Sequence, residues 1–190
     1  MNMKIAVGAG SAALALVVFG LVTGGGAAGR TEIAGYDPYV LGMSQKIILA
    51  AEPQFHAATP PEWLRKLGAV MYEREGTVTL GSSTLPQPAT IRLGFVESHL
   101  AFIGIDLRGQ PAYQPGTPAS AQNNLWHAVR SAIMEAYSSS LISLDDQADG
   151  HERMVLHDVW GDSLRANHVD DGVSVQYLID WLAHAIGIGM

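Results

Sequence analysis

The residue types best suited to chemistry gather late in the chain: Asp145, Asp146, Asp149, His151, Glu152, His157, Asp158, Asp162, His168, Asp170 and Asp171. Carboxylates and imidazoles at this density are the side chains that hold divalent metals or move protons near neutral pH. Their spacing argues against both. Asp145, Asp149 and Gly150 fall at the offsets of a calcium loop, but Gln147 occupies the third position and Leu156 stands twelfth, where a bidentate Glu is needed. No His-x-x-x-His pair occurs and the chain has no Cys, so a zinc nucleus is also missing. An acid–base pair would join His157 to Asp158 or Glu152. Adjacent residues on a strand point to opposite faces, so His157 and Asp158 cannot meet one substrate if that segment is extended. Ser138, Ser139 and Ser140 lie at an expected helix end without a Gly-x-Ser-x-Gly elbow, and read as capping or loop residues. The expectation is a set of solvated acidic loops with no catalytic residue, no metal and no cofactor.

What must position these residues begins with an apolar head. From Ile5 to Leu21 the chain is nearly all aliphatic, with Ile5, Leu14, Leu16, Val17, Val18, Phe19 and Leu21 as its bulk, and no charge appears between Lys4 and Arg30. A segment apolar on every side needs a membrane or a deep core. The same layout describes a cleavable secretory signal, and a retained anchor is the favoured reading. Gly8, Gly10 and Ala13 also match the opening turn of a dinucleotide-binding fold, with Glu32 near the position of a ribose ligand. That match is weak, because such a first helix needs a polar face and Ala12 to Val22 has none.

The chain has 190 residues, 48% hydrophobic and 15% charged, with a net charge of -7. This composition excludes a disordered chain. Its 11 Lys and Arg are scattered, which argues against a nucleic-acid partner. The lack of Cys is compatible with an exoplasmic domain.

Periodicity divides the chain into residues 1–29 as anchor and Gly-rich tether, 30–58 as an irregular linker with a short helix, and 59–190 as a globular domain. Within the linker, Tyr39 to Ala51 fits a helix ended by Pro53. Thr59, Pro60 and Glu62 form a helix-start signature, with Trp63, Leu64, Leu67, Val70 and Met71 at helical spacing and Gly76 as the stop. Thr77 to Leu80, Thr90 to Val96 and His99 to Leu107 read as strands, the last two joined by a tight turn at Glu97 and Ser98. A Pro-rich loop over Gly109 to Ser120 precedes a helix that should bury Trp126, Val129, Ile133, Ala136 and Tyr137 against the sheet. A loop from Asp145 to Gly150, a strand from Arg153 to Trp160 and a polar stretch to Gly172 follow. The chain closes on an expected helix with Val175, Leu178, Ile179, Leu182 and Ile186 on one face.

The expected fold is therefore α+β: an N-terminal single transmembrane helix followed by a small antiparallel sheet packed with two or three helices. Trp63, Trp126, Trp160 and Trp181 sit in apolar company and read as core. The sharper alternative places some of them, with Tyr177, at a partner or membrane interface. The expected function is a non-enzymatic single-pass membrane accessory or structural subunit of a membrane-bound assembly, such as an envelope complex, an energy-converting complex or a membrane-containing virion. Its partners would be other protein subunits, with the C-terminal domain on the exoplasmic, periplasmic or extracellular, side. The alternative is an exported soluble hydrolase using the His and Asp residues between His151 and Asp171.

Overall fold

The computed structural model describes residues 32–80, 83–108, 119–137, 142–146, 152–169 and 172–185. Its centre is an eight-stranded antiparallel sheet. In chain order the strands are β1 (Gly35–Tyr36), β2 (Tyr39–Val40), β3 (His56–Ala58), β4 (Val70–Leu80), β5 (Ser83–Val96), β6 (His99–Arg108), β7 (Ile142–Asp146), β8 (Arg153–His157), β9 (Ser163–Val169) and β10 (Gly172–Leu178). The helices are α1 (Gln45–Ala51), α2 (Glu62–Arg65), α3 (Ala119–Ala136) and α4 (Asp180–Ala185). The large sheet runs β3-β4-β5-β6-β10-β9-β8-β7, while β1 and β2 form a separate small hairpin.

Period-two alternation decides the two faces of the sheet. Ile91, Leu93, Ile103, Ile105, Val173, Val175, Tyr177, Leu164, Ala166, Met154 and Leu156 share one buried core with Trp126, Val129 and Ile133 of α3. Each large side chain fully withdrawn from water here contributes about 1.5–3 kcal/mol. The helix α3 lies against β10, β4 and β5. Ile33, Tyr36, Tyr39, Ile48 and Phe55, from β1, β2, α1 and their flanks, complete this layer. A smaller cluster on the opposite face joins Leu64 and Ala69 to Met71, Ala101, Phe102, Leu178, Leu182 and Ala183. There α2 and α4 cover only one end of the sheet.

This architecture corrects the expected fold. The sheet is large, and it, with α3 on one face, dominates the molecule. Among the described residues no helix is long and apolar enough to cross a membrane. The expected anchor residues, Ile5, Leu14, Leu16, Val17, Val18, Phe19 and Leu21, lie outside the described residues.

Four local corrections explain the difference. The helix expected after Thr59 is a single turn, Glu62–Arg65, because Gly68 at φ +73° ends it. Val70 and Met71 then open β4 instead of extending a helical stripe. The polar stretch before Gly172 is β9, whose Leu164 and Ala166 are fully buried between Ser163, Arg165 and Asn167. The expected C-terminal helix is β10 as far as Leu178, and only Asp180–Ala185 is helical. Tyr39 and Val40 form β2, so the helix expected from Tyr39 starts only at Gln45.

Other expectations hold. Glu97 and Ser98 make the two-residue turn between β5 and β6, both with positive φ, as a hairpin turn requires. Trp126, Val129, Ile133 and Tyr137 are buried.

Candidate functional site

Among the described residues, the acidic and imidazole residues singled out above do not gather at one metal-binding point. Asp149, His151, Asp170 and Asp171 lie outside the described residues, and Asp145 and Asp146 belong to the edge strand β7. His168 is on the core side, stacked on Trp126 with ring centroids 5.8 Å apart and planes 9° from parallel. Its backbone N–H donates to the Glu152 carbonyl at 2.9 Å. Asp158 is buried and accepts three backbone N–H bonds, from Ile33 at 2.8 Å, Trp160 at 2.9 Å and Asp162 at 3.0 Å. It therefore pins the turn between β8 and β9 to the segment that enters the domain. Asp162 accepts the Asp180 N–H at 2.7 Å and so satisfies a donor at the start of α4. Burial raises the Asp162 carboxyl above its usual range, opposed by that N–H bond.

His157 lies beyond the polar rows of the sheet, with Nδ1 2.8 Å from Oγ of Ser163. This contact was not anticipated, since Ser163 stood in a stretch read as loop. Burial lowers the imidazole below its usual value, Asp158 opposes that shift, and His184 adds to it. The Ser163 hydroxyl also reaches the Gly161 carbonyl at 3.3 Å, and the residue is fully buried. With both partners inside the turn, the hydroxyl has the pattern of a satisfied structural group. Among the described residues no three His, Asp or Glu side chains gather at metal-binding distance.

The concave feature with the chemistry of a binding site is on the uncovered face of the sheet. Two cross-strand rows run side by side there. One row passes Glu73, Arg92, Gly104, Gln176, Arg165 and Val155; the other passes Glu75, Thr90, Asp106, Ser174, Asn167 and Arg153. The loop from Ala58 to Trp63 rises beside the first strands and makes a groove of about 560 Å³. Its apolar wall is Trp63, edge-on to Phe102 at 5.7 Å, with Met71 and Pro61. Its floor is polar along Arg92, Asp106 and Gln176, and the Phe102 ring packs over the buried Gly104 between them.

The charged groups of the groove bind one another, two carboxylates to one guanidinium. Arg92 Nε donates to Glu73 at 2.9 Å and Nη1 donates to Asp106. Beside them Thr90 donates to Glu75 at 2.7 Å. Farther along, Arg165 Nε donates to Asn167 at 2.8 Å, and burial with the nearby Arg153 lowers the Arg165 guanidinium from its usual value. The sequence reading missed this site because its residues come from four strands, two of which it took for a helix or a loop. The only available signal was the alternation in Glu73-Arg74-Glu75 and Ser174-Val175-Gln176.

A second, smaller cavity of about 110 Å³ lies between Tyr36, Tyr137 and Tyr177 under the β1–β2 hairpin. Of the four tryptophans, Trp126 is in the core and Trp63 lines the groove, whereas Trp160 and Trp181 are exposed. Tyr177 is buried. No family model matches the chain, and neither a curated protein nor a solved structure matches it.

Proposed function

We propose that this protein is a non-enzymatic accessory or structural subunit of a membrane-bound assembly, associated with the membrane through its apolar head, and that its exoplasmic domain holds a protein partner on the open sheet face. The observation that carries this reading is the internal pairing of Glu73, Arg92 and Asp106 in the groove. Carboxylates already bound to a guanidinium are poor proton acceptors and good orienting groups for the polar atoms of a partner. The groove joins this polar floor to an aromatic wall, the mixture that protein interfaces use: apolar contact for affinity, matched charges for register.

A photo-crosslinking residue at Gln176 in the full chain, expressed in its own host, tests the proposal against a control at Glu97 on the far hairpin turn. A discrete heteromeric adduct from Gln176 alone is the expected result. Adducts absent from both positions, or formed equally by both, would contradict it. The hydrolase reading rests on the His157–Ser163 contact. Ser163→Ala separates the two, since a nucleophile's loss abolishes turnover of any ester substrate whereas the subunit assembles as before.

A further inference from the structure

The turn between β8 and β9 carries an unusual tip. Turns are normally polar, yet Val159 is 83% exposed and Trp160 70% exposed. The exposure belongs to a rigid element: Asp158 accepts the N–H groups of Trp160 and Asp162, and Gly161 N–H donates to the Asp158 carbonyl at 3.2 Å. Gly161, at φ +87°, packs so closely on Asp180 that an added Cβ would lie 2.1 Å from its Oδ1. Asp180 begins α4, whose next residue is Trp181, 43% exposed. Val159, Trp160 and Trp181 therefore stand at one end of the molecule, held together by the Gly161–Asp180 contact.

The same end receives the chain from its apolar head. Ile33 N–H is bonded at 2.8 Å to Asp158, the base of this turn. Upstream lie Gly24, Gly25, Gly26 and Gly29, and before them the uncharged run from Ile5 to Leu21. Eleven residues separate Leu21 from Ile33, and a chain of that length spans at most about 40 Å. With the head in a bilayer, the exposed tip lies within that reach of the lipid surface.

We infer that Val159, Trp160 and Trp181 dock the domain onto the lipid–water interface of the membrane proposed above. The inference rests on the membrane-associated reading above. Indole rings combine an apolar body with an N–H donor and are favoured at the headgroup level. The turn and α4 carry Asp158, Asp162 and Asp180 and no Lys or Arg, so the attraction is apolar and does not need anionic lipid.

The test uses the full chain reconstituted in phosphatidylcholine vesicles that contain acyl-brominated lipid. Flotation reads membrane association, and tryptophan emission reads docking. The parent should float and be quenched about twofold more than the Trp160→Ser/Trp181→Ser variant, equally at low and high salt. Flotation with Trp160 and Trp181 unquenched by bromolipid but open to acrylamide would overturn the docking and leave membrane association standing. Shielding of both from both quenchers would indicate cover by a second copy and also overturn it. A chain that does not float overturns both readings.

Discussion

Arg92 binds carboxylates on both neighbouring strands, yet this network adds little to stability. The three side chains keep 35%, 28% and 17% exposure, and ion pairs open to water are worth about 0–1 kcal/mol. Arg92→Gln should therefore lower unfolding stability in urea by about 1 kcal/mol or less. A much larger loss would make the triad a structural device and weaken its assignment to partner recognition. His157 behaves differently. Its folded-state value lies below the usual 6.5, so the unfolded chain binds the proton more readily. The corresponding stability is fully present above pH 6.5 and is lost as the pH falls from there through the lowered folded value. Asp162 works in the opposite sense: its raised value favours the folded state as the pH falls toward 3.8. Thermal melts should therefore drop in Tm below neutrality, and His157→Gln should flatten that drop. An unchanged slope would mean that the imidazole is not held in its neutral form.

At the scale of elements, α3 and the β8–β9 turn make the sharpest claims. Ile133 is 1% exposed in the main core, so Ile133→Asp buries an unpaired carboxylate and should cost more than about 4 kcal/mol, against about 2–5 kcal/mol for Ile133→Ala. Equal melting of parent and Asp variant would show that α3 does not cover the sheet. Gly161→Ala meets both a positive φ and the Asp180 side chain, and should cost about 1–3 kcal/mol in chemical denaturation. The α3 stripe and the β5–β6 hairpin were legible in the sequence because local signals agree there: an i, i+3, i+4, i+7 pattern in one, and a two-residue link between β-branched runs in the other. β9, β10 and the first part of β4 were not, although Thr77 to Leu80 already read as a strand. In β10, burial on both faces from Gly172 to Val175 blurs alternation into a run that also fits a helix. In β9, Arg165, Asn167 and Ser163 gave a loop-like composition, although Leu164 and Ala166 hold its buried face. Gly68 was the true stop after Glu62–Arg65, and its distinction from Gly76 lies in the φ of +73° that composition does not reveal.

On the scale of the whole molecule, the sheet separates two tasks. One face is closed by α3 and the β1–β2 hairpin and supplies the core. The other is covered at one end by α2 and α4 and carries the groove between the Ala58–Trp63 wall and Gln176. The groove was the least legible part of the chain, because no local spacing brings Glu73, Arg92, Asp106 and Gln176 together; only the order β4-β5-β6-β10 does. The exposed turn at Val159 and Trp160 lies where Ile33 joins the domain, which gives the open face a defined attitude to the membrane under the docking inferred above. The central claim is that this face holds a protein partner. Native mass measurement of the full chain extracted from its own host in mild detergent tests it most directly, with the parent compared against Arg92→Glu. The account predicts a heteromeric complex for the parent and a free, folded chain for the variant, because Glu at that position faces Glu73 and Asp106 and leaves three carboxylates with no guanidinium between them. A parent recovered without any partner, or a variant that keeps the same complex, would contradict it.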